Sequence, residues 1–279
     1  MTKENMQTRF RSKGSWSRNR KKTNIDFRNI ISTVAFLAAF LAIWEITVML
    51  EVFPAVSLPS PLMVAESLLY LIEDGTLVNS IAISMLRLFA GFIISILIGV
   101  GVGLIMLKFK NFGKTLNSFA VGLQSFPSIA WIPFAILLIG LNDSGILFVV
   151  IMSSVFSIMI STYSGMRNIP TIYLLSAANM GVKGLALFRY VMIPAATPSL
   201  IIGIRQSWSF AWHALVGAEM LITTLIGLGY ILAMGREFSN MSQIIAAMIV
   251  IFTIGLIFDR IVFSKIEEKV RDRWGLNQQ

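Results

Sequence analysis

Five ionisable side chains stand inside otherwise apolar runs of this chain: Glu45, Arg87, Arg205, His213 and Glu219. A charge in hydrocarbon is costly, so such residues serve as ion pairs, proton relays or parts of a solute path. Glu45 and Arg87 lie roughly 8 and 12 Å below the same end of their runs at about 1.5 Å per residue, which predicts a structural ion pair. Arg205, near the middle of its run, has two readings. It attracts an anionic solute, or it binds carbonyls freed by Pro127 and Pro133. Trp208, Trp212 and Glu219 follow Arg205 on the same run, and Trp131 lies between the two prolines. All seven are candidate lining of a translocation path, and each also has a plain packing reading. Ser164 with His213 would suggest peptide hydrolysis within a membrane. Their depths differ by about 20 Å, however, and a base must come within about 3 Å of its nucleophile, which excludes the pair. His213 is instead expected at an apolar packing position. One histidine and no cysteine also exclude a multi-histidine or thiolate metal site.

The elements that must position these residues are membrane helices. Hydrophobic residues make up 56% of the chain and charged ones 13%, with a mean hydropathy of +0.78, too apolar for a soluble domain of this length. Each crossing must be a helix of about 20 apolar residues, because lipid offers nothing to unpaired backbone groups. Six spans are expected, near 30–50, 79–107, 116–140, 145–165, 198–219 and 242–263, giving an all-α polytopic fold. The second, about 43 Å long if straight, must tilt or extend beyond the hydrocarbon. In the third, Pro127 and Pro133 should each remove a hydrogen bond and bend the helix. Gly99 and Gly103 suit close helix packing. The run Gly99-Val100-Gly101-Val102-Gly103 lacks a lysine, and no G-x-x-x-x-G-K-[ST] phosphate loop is present, so ATP must be held elsewhere.

Flanking charge sets the orientation. Nine Lys/Arg precede residue 30, whereas 51–78 carries Glu51, Glu66, Glu73 and Asp74 with no base. Lys108, Lys110 and Lys114 mark the next loop, Asp143 alone the one after, and Arg167, Lys183 and Arg189 the segment 166–197. Both termini and 166–197 are therefore expected in the cytoplasm. Residues 1–29 form a basic tail, expected to be disordered and drawn to anionic lipid rather than nucleic acid. Residues 30–265 form the transmembrane domain and 266–279 a cytoplasmic tail. The first span reads as uncleaved, since no small-x-small site follows it before Glu51.

The polar island PTIYLLSAANMGVKGLALFRYVMIP, 170–194, predicts two short helices. Pro170 suits a first turn, and Gly181 suits a left-handed stop. Ile172, Leu175, Ala178 and Asn179 share one face of the first helix, and Leu185, Phe188 and Met192 one side of the second. Pro194 is expected to end the second, with Thr197-Pro198 starting the fifth span. The apolar faces either pack on the chain's own bundle or enter a groove on a soluble partner.

The spacing Ala177-Ala178, then Gly181, then Val191-x-Ile193-Pro194 resembles the cytoplasmic signature of binding-protein-dependent ABC importer permeases. The resemblance extends through SLPSPLMVAESL at 57, SMLRLFAGF at 84, FPSIAWIPFAILLIGL at 126 and IPAATPSLIIGIRQSWSFAWHALVGAEML at 193. The nearest branch is that of nitrate, taurine and alkanesulfonate importers. One departure is plain: counting back from Gly181, Leu175 holds the family's glutamate position and Ser176 its first alanine position. The resemblance implies a type I (MetI-like) permease fold in a bacterial inner membrane. It implies a non-enzymatic subunit whose Leu175, Ser176, Ala177, Ala178, Gly181, Leu185, Phe188 and Pro194 couple to an ATPase. Expected partners are two ATPase subunits carrying ATP and Mg, a second permease copy and an extracytoplasmic binding protein. The expected cargo is a small anion of the sulfonate, taurine or nitrate type. A small heterocycle such as a thiamine-precursor pyrimidine, or an ion-coupled secondary transporter, are the alternatives. The latter would want a carboxylate relay, yet Glu45 alone lies in a span core and already has an arginine to pair with.

Overall fold

The structure, a computed structural model, describes residues 27–54, 56–222 and 226–273, with side chains between Ile31 and Asp272. Residues 1–26 of the basic tail and the last six residues lie outside the described residues. The chain divides into two compact units, one ending at Leu50 and one running from Glu51 onward. Helix α1 (Phe27–Met49) belongs to the first. Its stretch Ile31–Met49 is long and apolar enough to cross a membrane.

The second unit opens with α2 (Pro61–Glu73), a helix not expected from the sequence. The Ser60 hydroxyl accepts from the Met63 N–H at 3.3 Å, and Pro61 stands where its missing N–H is harmless. There follow α3 (Thr76–Lys108), α4 (Lys110–Gln124), a 3₁₀ turn (Ser128–Trp131) leading into α5 (Ile132–Leu138), and α6 (Asp143–Arg167). Asn142 caps α6, its side chain accepting from the Gly145 N–H at 3.1 Å. Next come α7 (Thr171–Asn179), α8 (Gly184–Leu187), α9 (Ile193–Leu221), α10 (Leu228–Glu237), α11 (Met241–Ile257) and α12 (Ser264–Arg273). Among the described residues five helices, or six if the bent α4–α5 pair counts as one span, are long and apolar enough to cross a membrane.

Helix α6 is the axis of this unit, packed between α3 and α9. Small residues on α3 permit the approach. A Cβ on Gly91 would come 2.7 Å from Val150, one on Gly99 2.8 Å from Ile158, and one on Gly103 2.7 Å from Thr162. Between them Ser154 donates to Ser95 at 2.8 Å. The packing role expected of Gly99 and Gly103 is therefore the observed one.

Two expectations need correction. The third span is not one bent helix: α4 and the Ser128–Leu138 arm meet at 101°. Pro127, extended at ψ 129°, lies at this break, whereas Pro133 sits in the first turn of α5 and bends nothing. Nor does Pro194 end a helix. A π-helical turn, Phe188–Met192, widens the backbone ahead of it, and the helix continues from Gly184 to Leu221 with Pro198 inside it. The last helical stretch, joined to α11 by a second π turn, Phe258–Phe263, runs to Arg273.

Candidate functional site

Helix α7 is held by one face only. Pro170, extended at ψ 129°, turns the chain out of α6, and Ala177 is buried. Leu174, Phe188, Met192 and Ala196 pack with Met166 and Ile169 to anchor this end of the bundle. The face bearing Ile172, Leu175 and Ala178 points away from it, with Leu175 56% exposed. Ser176, Gly181 and Leu185 are exposed as well. The helix ends as its glycine predicts: Gly181 is left-handed at φ +73°, its N–H donates to Ala178, and the Val182 N–H donates to Ala177 at 2.9 Å. Of the eight loop residues singled out in the sequence, Ala177, Phe188 and Pro194 thus face home in whole or part, and the other five face outward.

The charged residues group differently from the sequence reading. Arg87, expected to pair with Glu45, has its partners inside the second unit. Its guanidinium donates to Glu219 at 2.9 Å, to the Ile226 carbonyl at 2.8 Å and to Asp143 at 2.7 Å. Depth in a span gives only one coordinate, and lateral packing of α3 on α6 and α9 decides the partner. Glu219 is fully buried rather than at an open mouth. The Ser84 hydroxyl lies 2.7–2.8 Å from both its oxygens and accepts from the Leu228 N–H, while the Gly229 N–H donates to Oε2 at 3.1 Å. Gly227 and Gly229 leave room for that carboxylate, because a Cβ on either would fall within 2.7 Å of Glu219. The node ties α3, α6, α9 and α10 together and is structural.

Arg205 binds carboxylates rather than a carbonyl freed by Pro127 or Pro133. Its fork grips Asp259 at 2.8 and 2.9 Å, and Nη1 reaches Glu267 at 2.7 Å. Trp208 is a core residue, edge-on to Phe92 at 5.2 Å and tilted on Phe258 at 4.8 Å. Trp212 is buried beside Gly255. Arg205, Trp208, Trp212 and His213 share the wall of one cavity of about 470 Å³ between α9 and α11, so His213 borders open space instead of filling a packed position. Trp131 stands apart, ringed by Phe126, Phe134 and Phe156 at 5.9–6.3 Å, together with Pro127 and Pro133 on the broken span. The seven path candidates are therefore not one constellation. Asp143, Ser84, Asp259 and Glu267 were missed because a lone loop acid, a mid-helix serine, an acid near the end of the sixth span and a tail acid carry no spacing signal.

A bundle of membrane helices with one short helix projecting between two spans defines a multi-pass membrane protein. The fold is that of a chain of the MetNI methionine ABC transporter solved in inward-facing conformations: TM-score 0.58 at 16% identity, covering 71% of this chain and 97% of that one. Over residues 91–268 the sequence matches the family described as binding-protein-dependent transport system inner membrane component, and the chain belongs to that family. It is thus a permease subunit of an ABC importer, set in the inner membrane.

Three relatives give the range of the likeness. A protein of Methanocaldococcus jannaschii named as an ABC transporter permease is 29% identical over 240 residues, 85% of this chain and 90% of its own. The bicarbonate transport system permease protein CmpB of Synechococcus elongatus is 29% identical over 264 residues, 90% and 94% of the two chains. An Escherichia coli (strain K12) protein that bears the name aliphatic sulfonates transport permease protein SsuC is 31% identical over 234 residues, 84% and 88%.

Proposed function

We propose that this permease passes a small oxyanion, of the sulfonate or bicarbonate class, and that α7 is the helix through which an ATPase drives it. The observation that carries the coupling role is the outward apolar face Ile172, Leu175 and Ala178, closed by left-handed Gly181. An unpartnered apolar face at the end of a membrane bundle suits a groove on a soluble protein. In this reading the α7 end of the bundle is cytoplasmic, as the Lys and Arg around it favour. ATP and Mg reside on two ATPase chains, two permease copies frame the path, and a binding protein delivers solute from outside. Closure of the ATPases would draw the two α7 helices together and rock the spans about the path.

The solute class rests on what two relatives are named for. Bicarbonate and aliphatic sulfonates both present a singly charged oxyanion group; nitrate is a further such anion, and taurine carries the same sulfonate beside an ammonium group. Leu175 in place of an acid favours an ATPase groove whose matching wall is apolar rather than basic.

The test is reconstitution of the complex with its ATPase and binding protein in liposomes. Ala178→Glu or Gly181→Pro should abolish solute-stimulated ATP hydrolysis while leaving the permease monodisperse. Full coupling in both variants would overturn the docking role. Uptake of labelled sulfonate and bicarbonate in the same vesicles then decides the solute, and uptake of neither, with a pyrimidine carried instead, would overturn the oxyanion reading.

A further inference from the structure

Where α3 turns into α4, the backbone folds back hard. Gly113 carries no side chain because a Cβ there would collide with the Met106 carbonyl and come 3.2 Å from the Tyr163 ring. This tight elbow lays the first turn of α4 beside the last turn of α6. The result is a pocket of about 350 Å³ whose floor is Met106 and whose rim carries Lys110, Asn111, Lys114, Tyr163 and Arg167. Three cations from two helices therefore face one concavity. Among the described residues, none of the three is ion-paired: the salt bridges found involve Arg87, Arg205 and Arg271. Arg167 is instead held over the Tyr163 ring at 5.7 Å and donates to the tyrosine hydroxyl at 3.1 Å. That hydroxyl keeps its own proton to donate.

Surroundings select the ligand. The pocket lies where two membrane-spanning helices, α3 and α6, both end, which is the level of lipid headgroups. Phe109 and Phe112, at the same elbow, are more than half exposed, an apolar surface beside a basic one. We infer that this pocket binds the phosphate of an anionic phospholipid, with Lys110, Lys114 and Arg167 on the phosphate oxygens and the acyl chains along Phe109 and Phe112. Basic pockets between membrane helices recognise such headgroups through this pairing of charge and apolar flank. A free phosphate would use the cations but leave the aromatic flank without purpose, and an acidic protein segment would not need the pocket at headgroup depth. The lipid would fasten the α3–α4 elbow to the end of α6, the segment from which α7 departs. The site is independent of solute identity and of α7's partner.

The test uses the full-length protein released from nanodiscs holding equal phosphatidylglycerol and phosphatidylcholine, with retained lipid counted by native mass spectrometry. Phosphatidylglycerol should be retained preferentially. Removing one charge by Lys114→Gln should weaken retention about fivefold, and Lys110→Gln, Lys114→Gln and Arg167→Gln together about a hundredfold. Lys265→Gln with Lys269→Gln, on α12, should change nothing. Equal retention of the two lipids by the unaltered protein, or undiminished retention by the triple variant, overturns the proposal. If millimolar inorganic phosphate strips the lipid completely, the ligand is a free anion. If the lipids are not distinguished but the triple variant loses its ATPase subunit, the pocket is a protein contact. Both outcomes overturn it too. Should the triple variant not stay monodisperse, the exposed single site Lys114→Gln decides alone. The readout involves neither transport nor ATP hydrolysis, so its failure is separable from failure of the coupling role.

Discussion

Arg87 and Glu219, 132 residues apart in sequence, meet at 2.9 Å with both side chains enclosed, and the other fork nitrogen of Arg87 reaches the more exposed Asp143. A buried pair contributes little net stability over a well-packed apolar pair, but losing one partner strands the other charge. Glu219→Ala is therefore expected to destabilise the permease by about 3–5 kcal/mol. Asp143→Asn, at 65% exposure, should cost far less. Thermal unfolding in detergent, followed by size exclusion, measures both. A double variant, Arg87→Met with Glu219→Leu, that is no more stable than Glu219→Ala would show that the node does not work as a pair.

The α3–α6 seam makes a sharper contrast among glycines of one helix. A Cβ on Gly101 meets nothing within 4 Å, whereas one on Gly103 would come within 2.7 Å of Thr162 and 3.0 Å of the Met159 carbonyl. Gly101→Ala should be neutral or slightly stabilising, since alanine is the better helix former. Gly103→Val should force the helices apart, at a cost of about 1–3 kcal/mol. Equal melting temperatures for the two variants would place the seam elsewhere.

Much of this arrangement was legible in the sequence, and what was missed follows a pattern. Span number, the end of α7 at Gly181 and the packing glycines are local signals, set by hydropathy, backbone freedom and small-residue spacing. Pro127 and Pro133 look alike in sequence yet act differently, because only the local start of α5 makes Pro133 harmless. Pro194 has the appearance of a stop, but a preceding π turn absorbs it. The partners of Arg87 and Arg205 were not legible at all. Asp143, Glu219, Asp259 and Glu267 are brought to them by tertiary packing between helices 54 to 132 residues apart, and no spacing rule reaches that far.

The proline contrast can be measured. Pro133→Ala restores an N–H that α5 does not use in its first turn, so neither fold nor transport should change. Pro127→Ala loosens the break where the chain turns through 101° and should shift transport rate with little loss of folded protein. Uptake assays on both variants would show the opposite order if Pro133 were the true hinge.

Arg205 offers the last test, since its sequence reading as an anion attractor and its observed role predict different things. The guanidinium is shared by Asp259 and Glu267, so its charge is already matched within the chain. Arg205→Gln leaves Asp259 without its bidentate partner and Glu267 with only a longer contact to Arg271 at 3.9 Å, which removes the tie that holds this stretch to α9. Pairing it with Asp259→Asn removes one of those charges and should recover stability that the single variant lost. A solute-binding arginine would behave otherwise: the double variant would be as inactive as the single one, whatever its melting temperature. Thermal unfolding and solute uptake, measured on the single and double variants together, separate the two roles, with recovery of both expected for an ion latch.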